Sequence, residues 1–211
     1  MKKVLCCLLI LIIFAALTGC KRYESSEISL HDVYLDATFE LTDQQEKELL
    51  KLLNKAKWEY SITKTAYDYE FVLDDGRNLR YSSFAGLFND KEGNRHMELT
   101  KKQKKYVDSL IMELSKVQIE ASDMKLNQDS TKQCVNVTKE QMQDIVNIWN
   151  ASDWDLDHYG GRYDYWFVLE TEQFILYDTE SGVFHYVGRT MTVSNEQRQQ
   201  INAFIEQLFA E

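Results

Sequence analysis

The side chains of this chain that could do chemistry are few and scattered. Asp153, Asp155 and Asp157 stand at alternate positions, as do the first calcium ligands of an EF-hand loop, and Asp164 falls where the twelfth position would be. The match ends there. The sixth position, which needs glycine for its sharp turn, is His158, the twelfth is Asp in place of a bidentate Glu, and no second helix is expected to follow. The stretch reads as an acidic loop ended by Gly160-Gly161, with Asp153, Asp155 and Asp157 kept as the only metal candidate. His31, His96, His158 and His185 share no ligand spacing, and no H-E-x-x-H, G-x-S-x-G or Walker-type loop occurs. Asp68 and Asp164 occupy matching places in two similar segments, but strand alternation points both away from the aromatic face, where they would anchor turns. No catalytic constellation is legible, no cofactor is expected, and the expectation is a protein that is not an enzyme.

The cysteines carry a different kind of chemistry. Lys2 and Lys3 precede an apolar run from Val4 to Leu17, which is shorter than the roughly 20 residues a membrane-spanning helix needs. After it stands Leu17-Thr18-Gly19-Cys20, which resembles the lipobox of bacterial lipoproteins, where a small residue precedes a cysteine that is acylated and becomes the new N-terminus. The resemblance covers residues 1–20. It implies a signal peptide over residues 1–19, a diacylglyceryl group on Cys20, and a place at the bacterial cell envelope, membrane-anchored and facing outside the cytoplasm. It gives an address and no activity. Cys6 and Cys7 leave with the signal, so Cys134 has no partner for an intramolecular disulfide and is read as a small, half-buried strand residue.

Charge narrows the partners. The chain has a formal net charge of -10, and loss of Lys2 and Lys3 makes the exported part more acidic. That excludes a general nucleic-acid binder and favours solubility. No proline occurs, whereas about 5% is usual, so a Pro-rich stalk is absent and the spacer from the membrane is expected in residues 20–36, which include Glu24, Ser25, Ser26 and Glu27.

The chain repeats itself. At an offset of 96, Tyr67-Asp68-Tyr69-Glu70-Phe71-Val72-Leu73 lies over Tyr163-Asp164-Tyr165-Trp166-Phe167-Val168-Leu169, identical in six of seven pairs. The same offset matches Trp58 with Trp154, Tyr81 with Tyr177, Gly86 with Gly182 and Phe88 with Phe184; near the end of each copy it slips to 94, matching Met97 with Met191 and Thr100 with Ser194. The expected organisation is repeat 1 over residues 37–116, a joint over 117–132 and repeat 2 over 133–211.

The elements that must position any site follow from local signals. Thr42 with Gln45, Thr100 with Gln103, Thr138 with Gln141 and Ser194 with Gln197 are four capping boxes. Each precedes apolar residues at helical spacing, such as Leu49, Leu52, Leu53 and Ala56 in the first. Between the helices the period becomes two: Tyr67, Tyr69, Phe71 and Leu73 share one expected face, as do Tyr163, Tyr165, Phe167 and Leu169. Asp74-Asp75-Gly76 suits a hairpin turn, after which Leu79 and Tyr81 point inward. Further short strands are expected at residues 37–41, 60–64, 96–99, 133–137, 183–187 and 190–193. The fold class is α+β, a tandem duplication of a β-α-β-β-β-β-α module with antiparallel sheets and helices on one face.

The copies differ on the outer face. In the first, Glu70, Asn78 and Arg80 surround Val72; in the second the same places hold Trp166, Phe174 and Leu176 around Val168. An apolar outer face has to be covered by the first copy or by a partner. Trp166, Phe174, Leu176 and Val168 are therefore the candidate partner-binding residues, with Trp166 as the aromatic anchor.

A tandem duplication of a helix-and-sheet module that presents an aromatic sheet surface resembles the beta-lactamase inhibitory proteins, although their disulfides have no counterpart here. The run from Tyr165 to Phe184, with Asp178-Thr179-Glu180-Ser181-Gly182-Val183 in its turn, is similar to the PepSY-type meander of secreted bacterial proteins. Fold alone transfers no function. The expectation is a lipid-anchored protein- or peptide-binding module, held to the membrane through lipid on Cys20; the alternative is a small-molecule or ion-binding lipoprotein serving a transporter or sensor, with a cleft between the repeats.

Overall fold

A computed structural model of the chain describes residues 23–25, 27–61, 63–156 and 160–210. The expected signal peptide and Cys20 lie outside the described residues, as do Asp157 and His158.

The chain runs β1 (Ile28–Asp32), β2 (Ala37–Glu40), α1 (Asp43–Lys55), β3 (Tyr69–Leu73), β4 (Asn78–Ser82), β5 (Leu87–Asp90), β6 (Arg95–Glu98) and α2 (Lys101–Leu114). It then repeats as β7 (Met124–Gln128), β8 (Cys134–Val137), α3 (Lys139–Ala151), β9 (Tyr165–Val168), β10 (Phe174–Asp178), β11 (Val183–Tyr186), β12 (Arg189–Thr192) and α4 (Asn195–Ala210). The first sheet has the order β2-β1-β3-β4-β5-β6 and the second β8-β7-β9-β10-β11-β12, with every pairing antiparallel. The fold is α+β and consists of two modules of one topology.

All four capping boxes form. Gln45, Gln103, Gln141 and Gln197 each accept the backbone N–H of the Thr or Ser three residues earlier and donate their own N–H to its hydroxyl, so that the orphan donors of each helix start are satisfied. The helices lay their apolar stripes on one face of each sheet. Leu49, Leu53, Val107, Leu110 and Ile111 meet Tyr69, Phe71, Leu79, Tyr81 and Phe88 in the first core. Met142, Ile145, Trp149, Ile201 and Ile205 meet Phe167, Ile175, Tyr177 and Phe184 in the second.

The duplication extends to single hydrogen bonds. Trp58 Nε1 donates to the Leu53 carbonyl and Trp154 Nε1 to the Trp149 carbonyl, both at 2.9 Å. Tyr81 donates to Asp108 and Tyr177 to Asn202. Asp68 accepts from the backbone and hydroxyl of Ser83, and Asp164 from those of Thr179; both aspartates are turn anchors.

Three expectations need correction. Residues 20–36 are not a free spacer: β1 lies between β2 and β3, and Tyr23 is buried. Repeat 1 therefore starts before residue 37, and the joint over 117–132, polar and able to hold a strand, supplies β7 at Met124–Gln128 to the second sheet, so each module has a strand ahead of its expected first. Tyr67 and Tyr163 leave the inner face, because Asp68 and Asp164 turn inward to bind the loops after β4 and β10; Tyr67 stacks under outward-pointing Arg80. Finally, the described residues of 60–64 form no strand, and Glu59 instead makes a single bridge to His96.

A buried ion pair lies at the junction of the modules. Arg189, at the start of β12, reaches Asp32 at the end of β1 with Nη2 to Oδ2 at 2.5 Å, and neither side chain is exposed. Nη2 also donates to the Ser115 hydroxyl at 2.6 Å and its carbonyl at 3.2 Å. The other Asp32 oxygen accepts the N–H groups of Tyr34 and Leu35. Tyr34 lies over Gly188, whose left-handed φ of 74° and lack of a side chain are both required: a Cβ there would sit 2.4 Å from the Tyr34 ring. Burial and the neighbouring Asp68 push the Tyr34 hydroxyl up to about 12, so it stays protonated and donates to Asp68 at 2.9 Å. Leu156 of the second module completes the junction by packing in the first core.

Removing one partner of a buried ion pair strands the other charge, at a cost of about 3–5 kcal/mol. Arg189→Met is expected to lose stability in that range by chemical denaturation, and Asp32→Leu combined with it to lose clearly less than the sum of the two single variants. A loss below about 1 kcal/mol, the scale of an exposed pair, would mean that the pair does not join the modules.

Candidate functional site

Register places the candidate residues together. On the face of the second sheet turned away from its helices, Trp166 of β9 lies opposite Leu176 of β10, and Val168 lies opposite Phe174. The four form a block of adjacent outward positions. Trp166 is 39% exposed and Phe174 52%, whereas Val168 and Leu176 are half-buried between them. Among the described residues the junction centres on Arg189 of β12, two strands away from β10, and Trp166 and Phe174 stay exposed.

The rim is polar. Lys125 and Asn127 of β7 pair with Val168 and Trp166, and His185 of β11 lies opposite Leu176, with Tyr163 stacked on its ring at 6.0 Å. Beyond Val168 a shallow groove of about 590 Å³ runs past Lys125, Asn136, Glu170 and Glu172. An apolar centre inside a polar border is the usual anatomy of a protein-binding patch.

The equivalent face of the first module is closed by its own polar groups. Arg80 bonds Glu70 at 2.9 Å and lies over the Tyr67 ring at 4.4 Å. The segment after α1 crosses that face: His96 Nδ1 lies 2.9 Å from the Ser61 carbonyl oxygen, and Thr63 donates to Asn89 at 3.0 Å. The shared scaffold therefore does not require apolar residues at these outward positions.

Other candidates disperse. Asp153 and Asp155 are exposed, and the Asp155 backbone is committed to a bridge with Thr190. Among the described residues no group of three His, Cys, Asp or Glu side chains could hold a metal ion. Cys134 is exposed rather than half-buried, because it opens the edge strand β8 on the outer side while Val135 and Val137 face the core. His31 sits on the outer face of β1, 3.4 Å from the Thr38 hydroxyl. Sequence reasoning missed Arg189 and Tyr34. One signal was present: Arg95 pairs with Asp90 inside the first module at 2.9 Å, and at the places matching this pair the second module has Arg189 but Tyr186, leaving its arginine to find a carboxylate elsewhere.

Compared with protein-family models, curated proteins and solved structures, the chain matches none, so the site rests on its own geometry.

Trp166→Glu and Phe174→Glu are expected to fold, with stability by chemical denaturation unchanged within about 0.5 kcal/mol, as for surface positions. A loss above about 2 kcal/mol, the scale of a core substitution, would make the block a structural element and not an available surface.

Proposed function

We propose that this protein is a lipid-anchored component of a bacterial envelope that binds another protein or a peptide, without catalysis, on the outer face of its second sheet. The observation that carries the reading is the exposed block of Trp166, Val168, Phe174 and Leu176, set against the ion-paired, self-covered equivalent in the first module. Large aromatic side chains at the centre of a patch contribute most of the free energy in protein interfaces. A sheet carrying them holds them at fixed spacing, so little side-chain freedom is lost on binding. The anchor part of the reading rests on the lipobox-like Leu17-Thr18-Gly19-Cys20 and the short apolar run before it.

The test is capture from detergent-solubilised envelope with the full chain. A partner held by wild type and by Glu70→Ala, but lost with Trp166→Glu and with Phe174→Glu, is the expected result; a partner retained by both Glu variants would contradict the assignment. Labelled fatty acid fed to the cells is expected in the wild-type chain and absent from Cys20→Ala.

A further inference from the structure

The first module carries a second surface unlike its twin. A cleft of about 1010 Å³ lies along α1 and the segment at Tyr23, lined by Lys47, Lys51, Lys55, Lys57, Trp58 and Tyr60, with Glu24 the one acidic residue among the described residues of its wall. Lys47, Lys51 and Lys55 follow at intervals of four and so share one side of the helix. All four lysines are exposed, and Tyr60 is 80% exposed. On a chain with a net charge of -10, this is a concentrated positive surface.

The fold does not demand these lysines. At the matching places of α3 and the segment after it stand Gln143, Asn147, Ala151 and Asp153, in a helix of the same length, cap and packing. The twin also lacks the exposed tyrosine, because Leu156 stands where Tyr60 does and is buried in the junction.

The cleft lies close to the expected anchor. Tyr23 forms part of its wall and is held there: its N–H donates to Asn54 at 2.7 Å, its carbonyl accepts from Asn54 at 2.8 Å, and its hydroxyl donates to Asp90 at 2.6 Å. Arg95 lies over both Tyr23 and Trp58 at under 5 Å. Only Lys21 and Arg22 separate Tyr23 from Cys20, and three peptide steps span at most about 11 Å. Lipid on Cys20 would therefore bring this surface to the bilayer.

We infer that the lysine-lined cleft along α1 is the membrane-facing surface of the protein and lies against anionic lipid headgroups. The inference rests on the anchor reading above and adds an orientation to it. Clustered lysines beside a lipid anchor are drawn to anionic bilayers, and interfacial Trp and Tyr settle at headgroup depth. With α1 against the bilayer, the tether has almost no slack, and the protein is held in one attitude on the membrane.

The experiment is an amine footprint on the full lipidated chain, reconstituted in vesicles of phosphatidylcholine alone or of equal parts phosphatidylcholine and phosphatidylglycerol. Acylation of Lys47, Lys51, Lys55 and Lys57 is followed by mass spectrometry, with exposed Lys101 and Lys102 of α2 as internal references. Several-fold protection of the four in the anionic vesicles only, reversed by high salt, is the expected result. Equal acylation in both vesicles would overturn the inference, as would protection by soluble polyphosphate with none from vesicles, which would make the cleft a site for a dissolved anion. The same spectra report the mass at Cys20. If that residue proves unmodified, the anchor reading fails separately; the footprint is then taken with vesicles added to the chain, where protection upholds the surface and its absence overturns it.

Discussion

The buried pair of Arg189 and Asp32 is the constraint on which the arrangement of the molecule depends. Each module owns a core, and a duplicated chain of this kind could behave as two independent bodies. A fully enclosed guanidinium that pairs with a carboxylate of the other module removes that freedom, because separating the modules would leave two unpaired charges to be solvated or neutralised. The surrounding groups serve the pair: Ser115 takes a further proton of the guanidinium, the N–H groups of Tyr34 and Leu35 hold the carboxylate, and the missing side chain of Gly188 admits the Tyr34 ring.

Fixing the modules against each other gives meaning to what they do not share. Where the copies agree, as in the tryptophans bonded to a helix-end carbonyl or the aspartates that hold the loops after β4 and β10, the residues maintain the fold. Where they differ, the scaffold is indifferent and the difference is available for use. Module two has exchanged an ion-paired outer face for an aromatic one. Module one has a lysine-lined helix where its twin is neutral. The two divergent surfaces lie on different modules, one on the strand side of its sheet and the other along a helix.

Much of the fold was legible because its signals are local. Capping boxes mark helix starts by chemistry confined to four residues, and the alternation of Phe71, Leu73, Leu79 and Tyr81 needs nothing beyond neighbouring strands. The aromatic block could be read from Trp166, Phe174, Leu176 and Val168 once the repeat was aligned. Non-local terms hid the rest. Asp32 at the inward end of β1 disguised Ile28 and Leu30 as part of a polar spacer, and its partner is 157 residues away. Tyr67 and Tyr163 fit the strand period, but the carboxylate next to each is drawn inward by a loop fifteen residues later. The spacing of four puts Lys47, Lys51 and Lys55 on one side of α1, but the cleft they line with Lys57 and Tyr60 is completed by Tyr23, whose packing on the helix the sequence did not announce.

The central claim is that the two modules form one cooperative body, and calorimetry of the wild-type chain addresses it most directly. A single thermal transition whose van't Hoff enthalpy equals the calorimetric enthalpy is predicted. Two resolved transitions, or a calorimetric enthalpy about twice the van't Hoff value, would show that the modules unfold independently and that the Arg189–Asp32 contact does not bind them together.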